Sequence, residues 1–554
     1  MLFKRGSKSD VVRSAEEDAT PDEEKGHGRN GAAPVDDGAR GAEAKDAMPE
    51  VHETFSFHHL NYTVPIGGGK TRQLLDDVSG YAPPGRLTAL MGESGAGKTT
   101  LLNVLAERTT TGVVTGNRYM NGHPLPADFQ AHTGYCQQMD THLPTATVRE
   151  ALLFSAQLRQ PPEVPLEEKK AYVEKVLGLC GLAAYGDAIV GSLGVEHRKR
   201  TTIAVELVAK PSLIFLDEPT SGLDSQSAWA IVSFLRDLAD SGQAIICTIH
   251  QPSAELFQVF DRLLLLRKGG QTVYFGDIGP RSTTMIEYFE RNGARKCSDS
   301  ENPAEYILEA IGAGATATTD IDWHDAWVKS PEAENALAEL ERIHSEGRQK
   351  PPVQARLKKA YPTAWFYQLV LLLQRNAQAY WRDPTYLIAK LALNAGAALL
   401  IGFTFFQAKL TIQGSQNHLF AIFMSLIAAV PLSNQLQVPF IDIRKIYEVR
   451  EQHSRMYSWT ALVTSQILIE IPWNILGTSL YFLCWYWTVG FPTDRAGFTY
   501  LFMAIFFPLY YTTIGQAVAA MAPDAEIAAL LFSFLFSFVL TLYVPFSPLL
   551  CCQC

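Results

Sequence analysis

The segment Gly92-Glu93-Ser94-Gly95-Ala96-Gly97-Lys98-Thr99, continued by Thr100, fits the pattern G-x-x-x-x-G-K-[ST] in full. It follows the apolar run 87–91 and opens a helix-like stretch over 99–107, the strand–turn–helix setting that this pattern requires. Its glycines let backbone N–H groups turn inward around phosphates, and the helix N-terminus adds a favourable dipole. Lys98 is placed to reach β- and γ-phosphates, and Thr99 to give its hydroxyl to Mg²⁺. Alone, the segment fits kinases, GTPases and many ATPases. A glycine turn that binds nothing is a poor reading beside the Lys-Thr pair.

Working outward, Leu213-Ile214-Phe215-Leu216-Asp217-Glu218-Pro219 reads as an apolar strand ending in two carboxylates. Asp217 is placed to hold Mg²⁺ through water, and Glu218 to accept a proton from an attacking water. Such a pair is common on surfaces, and it is the upstream phosphate loop that favours the catalytic reading. Gln138, in Tyr135-Cys136-Gln137-Gln138-Met139-Asp140, offers an amide to the cation, with Gln137 the weaker candidate. Ser221-Gly222-Leu223-Asp224 follows the carboxylates at loop spacing. His250 ends the apolar run before Gln251-Pro252, where an imidazole can touch a γ-phosphate. A lone strand-end histidine is usually structural, and here its order and spacing favour the catalytic role. Tyr62 is a candidate for adenine stacking or for core packing.

The 554 residues are 47% apolar and 19% charged, with a formal net charge of −10, which excludes a generally basic nucleic-acid binder. Eight cysteines without even spacing argue against a disulfide-stapled fold. The start, MLFKRGSKSD, has no apolar core of a secretory signal. Residues 1–50 are polar and read as a disordered linker or tail. Residues 51–310 read as an α/β domain with parallel strands at 87–91, 213–216, 244–248 and 263–266. Residues 311–384 form a connector that ends in an amphipathic, membrane-surface helix over 365–381. Residues 385–544 form an all-α membrane domain with five spans near 386–406, 418–438, 459–489, 497–521 and 526–544, each near the ~20 apolar residues a crossing needs. Pro472 marks a kink in the third, or a shift from interfacial to spanning helix. Lys and Arg before the first span, and again at 444–455, put the α/β domain and the loop over 440–457 on one cytoplasmic side. Asn394, Asn434, Gln435 and Glu470 are the polar exceptions, with a structural or coupling role favoured for Glu470. The tail 545–554, with Cys551, Cys552 and Cys554, reads as an aberrant or truncated end.

At this point the sequence resembles the ATP-binding cassette family, its G subfamily, and within that the fungal pleiotropic drug resistance transporters. The resemblance rests on GESGAGKTTLLNVLAER, GYCQQMDTHLPTATVREAL, LIFLDEPTSGLDSQSAW, AIICTIHQPSAELFQVFDRLLLL and GGQTVYFGDIG, and covers residues 53–543. It implies a P-loop nucleotide-binding domain followed by an all-α exporter-type membrane domain. It also implies ATP and Mg²⁺ as cofactors, catalytic Glu218 and His250, and Asp224 in a loop facing a second cassette. Arg444, Glu448, Arg450 and Glu451 take the place of a coupling loop. One departure stands out. The family signature Leu-Ser-Gly-Gly-Gln is replaced by Leu193-Gly194-Val195-Glu196-His197, which removes the serine hydroxyl and puts a carboxylate near a partner's γ-phosphate. This resembles the C-terminal half of full-length transporters, so the expected partners are a complementary N-terminal or second half, the lipid bilayer and hydrophobic small molecules, with no nucleic acid. The expected location is the plasma membrane, multi-pass, with the cassette cytoplasmic. The alternatives are an inactive truncated product and a regulatory cassette that transports nothing.

Overall fold

The computed structural model describes residues 53–313, 321–352, 360–409 and 411–543. The expected tail at 1–50, and the terminal cysteines, lie outside the described residues. The strands are β1 Phe55–Gly67, β2 Lys70–Ala82, β3 Leu87–Gly92, β4 Val113–Met120, β5 His123–Pro124, β6 Thr133–Cys136, β7 Leu213–Leu216, β8 Ala244–Thr248, β9 Arg262–Arg267 and β10 Gln271–Asp277. They form one sheet in the order β5-β4-β1-β2-β10-β9-β3-β8-β7-β6. From β9 to β6 the neighbours are parallel, and these strands are almost entirely buried because both faces of the sheet are covered. The other end is mainly antiparallel, with β1 paired to both β2 and β4, and a short parallel contact joins β2 to β10. That half was not anticipated, since its strands mix polar and apolar residues around irregular register.

Four cassette helices position the site: α1 Lys98–Leu105, α2 Val148–Arg159, α3 Val195–Leu207 and α4 Ser225–Asp240. α2 starts in a capping box, in which Thr147 accepts from the Glu150 N–H and Glu150 accepts from the Thr147 N–H. The core runs continuously from the strands into these helices, with Leu87, Leu90, Phe215, Ile245 and Leu263 buried.

Beyond the cassette lie α5 Trp365–Arg382, α6 Thr385–Thr404, α7 Ile412–Ile427, α8 Ala429–Ile446, α9 Trp459–Val489, α10 Phe507–Met521 and α11 Ala525–Tyr543. Among the described residues, four helical stretches are long and apolar enough to cross a membrane: Thr385–Thr404, Ile412–Glu451, Trp459–Val489 and Thr493–Met521. The fifth expected span falls on α11, a strongly apolar helix of 19 residues. The second span is longer than 418–438. Helix continues through Tyr447–Glu451 in π form, so Arg444, Glu448, Arg450 and Glu451 stand on a helical extension where a loop was expected. Nothing in 440–451 breaks the helix, because Pro439 removes one hydrogen bond and the apolar face carries on. Pro472 likewise sits inside one continuous helix, α9.

Candidate functional site

The phosphate loop joins β3 to α1. Gly97 precedes the helix at φ 98°, a left-handed conformation that glycine holds without strain. A Cβ on Gly92 would lie 2.2 Å from the Leu266 carbonyl oxygen, so only glycine lets the loop pass β9 this closely. Ser94 and Gly95 at the crest are exposed, while Ala96 is buried beneath them. Lys98 Nζ donates to the carbonyls of Gly92 at 2.8 Å and Glu93 at 3.1 Å, curled inside the loop. Its burial lowers the ammonium pKa, and Glu218, Asp217 and Glu93 act in the opposite sense. Glu93 is ion-paired to Lys268.

The two carboxylates after β7 meet this loop. Thr99 Oγ1 donates to Asp217 Oδ1 at 3.1 Å, and Thr248 Oγ1 donates to the same oxygen at 2.8 Å. The Glu218 N–H donates to Thr248 Oγ1 at 2.7 Å, holding Glu218 at φ 47°, a left-handed position rarely taken by non-glycine residues. Gln138 Nε2 donates to Glu218 Oε2 at 2.7 Å. His250 and Ser94 line the same open cleft of about 740 Å³ as Glu218. Thr248, which ties the two carboxylates together, was not singled out in the sequence; its place two residues before His250 was the available signal.

An ammonium, a hydroxyl and two carboxylates thus converge on a glycine loop with exposed backbone. Among the described residues no three His, Cys, Asp or Glu side chains cluster as a metal cage. The oxygen set of Thr99 and Asp217 suits a hard cation that brings its remaining ligands on phosphate and water. Tyr62 is buried, with its hydroxyl donating to the Thr111 carbonyl at 2.6 Å, so it packs in the core and presents no face to adenine.

Leu193 is buried and Gly194 caps α3. Val195 is exposed, and His197 rests against the Tyr185 ring. Glu196 pairs with Arg200 at 2.9 Å and accepts from Ser227 Oγ at 3.1 Å, so its charge is compensated within the chain. Asp224 caps α4 by accepting from the Gln226 and Ser227 N–H groups, and its hydrogen bonds with Ser227 hold its carboxyl below the usual range.

The stretch after Gln138 leads to the membrane domain. Gln137, rather than facing the nucleotide side, donates to the Val449 carbonyl at 2.6 Å. Arg450 donates to the Thr141 carbonyl at 3.0 Å and to His142 Nδ1 at 2.7 Å. Glu451 is fully buried and pairs with Arg375 at 2.7 Å and Arg450 at 3.1 Å. Arg382 grips Glu150 at 2.6 Å. Arg444 donates to the carbonyls of Ala519 and Ala522 at the end of α10, and Glu448 lies one turn on at 3.4 Å. Inside the membrane domain, Lys390 pairs with Glu470 at 2.6 Å, and Tyr380 and Tyr386 donate to Glu470 at 2.7 and 3.0 Å. The sequence reading found Glu470 and passed over Lys390, although a single lysine within an apolar helix was signal enough.

A sheet carrying this phosphate loop, joined to a helical membrane domain, defines an ATP-binding cassette transporter. Family models agree: residues 75–221 match "ABC transporter", and residues 250–325 and 367–548 match "ABC-2 type transporter". The chain belongs to that family. Among its relatives, the Brefeldin A resistance protein of Schizosaccharomyces pombe is 51% identical over 99% of this chain and 37% of its own length. The ATP-dependent permease PDR12 of Saccharomyces cerevisiae is 50% identical over 88% of this chain and 33% of its own length. The ABC multidrug transporter atrI of Aspergillus fumigatus is 47% identical over 98% of this chain and 37% of its own length. The chain therefore spans a little over a third of the length of such relatives.

Proposed function

We propose that this chain is the ATP-hydrolysing half of an exporter for hydrophobic or amphipathic compounds, working with a complementary cassette and membrane domain in the plasma membrane. The cassette faces the cytoplasm in this reading. The observation that carries it is the convergence of Lys98, Thr99, Asp217, Glu218 and Gln138, in a chain whose cassette is tied to its membrane domain by Arg450 and Arg382. Names of relatives that include "multidrug transporter" and "permease" support the substrate class.

Lys98, released from the loop carbonyls, neutralises β- and γ-phosphate oxygens. Thr99 and Asp217 would hold Mg²⁺, which would supply charge neutralisation at the phosphates. Glu218 takes the proton of the attacking water, and the Gln138 amide fixes which of its oxygens is free to do so. His250 lines the same cleft as Glu218 and contacts the γ-phosphate in this reading. The altered signature, with Glu196 held by Arg200 and Ser227, supports an asymmetric pair in which this chain supplies the phosphate loop and a partner supplies an intact signature.

The test is reconstitution. The chain and a complementary half from one of the relatives are incorporated into liposomes, and ATPase activity and uptake of a fluorescent amphipathic dye are measured. Dye movement that requires ATP and both halves supports the proposal. ATP hydrolysis without dye movement for any amphipathic probe turns it toward a regulatory ATPase.

A further inference from the structure

A second cleft, of about 480 Å³, lies where three parts of the chain meet, away from the phosphate loop. The cassette contributes Arg108, Thr109 and Thr110, the connector Tyr361, and the turn before α9 contributes His453 and Arg455. Its size falls within the range of small-molecule sites.

Its charge is lopsided. The Arg108 guanidinium stacks on the Tyr135 ring at 4.1 Å, and among the described residues its only hydrogen bond is to the neutral Ser454 hydroxyl at 3.4 Å. Its second terminal nitrogen is buried without a partner among the described residues. The nearest buried carboxylate, Glu206, is taken by Arg159 at 2.7 Å. Burial pushes Arg108 down only to about 10, so it stays cationic at neutral pH. Among the described residues the Arg455 side chain bonds only the neutral Gln130 amide oxygen, at 3.1 Å, from a left-handed backbone at φ 48°. The one acid on the rim, Glu107, pairs with Arg118 at 3.1 Å. Two guanidinium groups therefore face one cleft without a carboxylate of their own, with threonine and tyrosine hydroxyls around them. Buried or strained cations left this way suit an oxyanion that accepts several hydrogen bonds at once.

The location narrows the source. Tyr361 lies four residues before Trp365, and Arg455 four residues before Trp459. Trp365 donates to Thr460 Oγ1 at 3.0 Å, and Trp365, Phe366 and Trp459 are all exposed. Exposed aromatic rings at this spacing mark the headgroup level of a bilayer. The cleft opens beside that belt.

We propose that this cleft binds a phosphoryl oxyanion, supplied either by an anionic phospholipid headgroup or by a soluble phosphate. Bound there, the anion bridges cassette, connector and membrane domain.

The test uses the full chain in phosphatidylcholine nanodiscs. One arm adds radiolabelled phosphatidylinositol 4-phosphate to the bilayer, and the other adds radiolabelled pyrophosphate to the buffer. Arg455→Gln removes one cation, and Thr110→Glu places a carboxylate at an exposed position of the rim, where folding is tolerant. Losing one charge-assisted contact, or meeting one added carboxylate, weakens saturable binding roughly tenfold. Arg72→Gln, an exposed cation on β2, leaves it unchanged. The phosphate loop contributes equally to parent and variants, so the difference reports this cleft alone. A difference in the lipid arm only assigns a headgroup, and a difference in the soluble arm assigns a soluble phosphate. Equal binding by parent, Arg455→Gln and Thr110→Glu in both arms overturns the proposal, as does the lack of saturable binding in either.

Discussion

Arg450, at the end of the second membrane helix, donates to His142 Nδ1 across 2.7 Å. Because Nδ1 accepts, the proton of the neutral ring sits on Nε2, which donates to Thr202 Oγ1 on α3 at 2.8 Å. Thr202 donates onward to Asp140 at 2.6 Å, and Lys199 joins Asp140 to the Gln138 carbonyl at 2.8 Å. Gln138 in turn holds Glu218. A continuous set of polar contacts therefore links the membrane domain to Glu218 through α3, the helix that begins inside the altered signature.

That arrangement makes the junction sensitive to acid. Burial, then Arg450, Arg198 and Lys199, hold the His142 pKa far below its ordinary value, with Asp140 facing it only through Thr202. A folded pKa below the unfolded value means that the stability contribution is complete above about pH 6.5 and is lost as pH falls below it. The unfolded chain takes up a proton that the folded one refuses. Between pH 7.5 and 5.5, thermal stability of the parent should fall more steeply than that of His142→Asn, by up to ~1.4 kcal/mol per pH unit. Equal slopes in the two proteins would refute the assignment of a neutral, buried His142.

The second prediction separates binding from chemistry. Glu218→Gln keeps the Gln138 and Thr248 contacts but cannot take a proton, so ATPase turnover in the reconstituted complex should fall ~100-fold or more while nucleotide affinity holds. Lys98→Ala should instead weaken nucleotide binding at least about tenfold, since a charge-assisted contact to phosphate is lost. Filter binding beside steady-state ATPase assays reads both effects. Turnover near that of the parent in Glu218→Gln would remove the general-base role.

Much of this site was legible because its chemistry is local in sequence. A loop that wraps phosphate needs Gly92 and Gly97 at fixed positions, and the apolar run 213–216 must end at the sheet edge where Asp217 emerges. Thr99 and Asp217 are far apart in the chain, yet each is readable from its own neighbourhood. Contacts across domains were not readable in this way. Nothing near Gln137 in the sequence says that its amide reaches Val449, because that depends on how far the second membrane helix extends beyond its apolar core. The same extension explains why Arg444–Glu451 looked like a loop: charged residues end an apolar run without ending a helix. Glu196 shows a third kind of limit. Its substitution is visible in the signature, whereas its compensation by Arg200 and Ser227 depends on α3 packing beside α4.

The buried pair in the membrane domain carries the third prediction. Lys390 and Glu470 are both almost completely buried and lie 2.6 Å apart, so removing either one strands the other. Lys390→Met or Glu470→Leu alone should destabilise the protein by about 3–5 kcal/mol. The double substitution should recover much of that loss, because no uncompensated charge remains. Thermal melting of the three variants in nanodiscs closes the cycle. Additive losses would mean that Tyr380 and Tyr386, not Lys390, are what Glu470 relies on.

The last prediction concerns the altered signature. If Gly194–Val195–Glu196 faces a partner's nucleotide, restoring Ser-Gly-Gly repairs only one side of the composite site opposite this chain's own phosphate loop. The resemblance to C-terminal halves makes the partner's phosphate loop the defective side of that site, so ATPase activity of the heteromeric complex should change little. A homodimer of this chain would pair a sound phosphate loop with a poor signature at both sites, and there the same repair should raise hydrolysis by about tenfold or more. The repair also removes Glu196, freeing Arg200 and Ser227, and a surface pair of this kind is worth ~1 kcal/mol or less, so folding should survive it. A Glu196→Gln control keeps the Ser227 contact but restores no glycine, and should leave both assemblies slow. Steady-state ATPase rates on the two assemblies, with each substitution, make the comparison. A large gain in the heteromeric complex with none in the homodimer would mean that the signature of this chain serves an intact partner site, and the asymmetric arrangement would have to be abandoned.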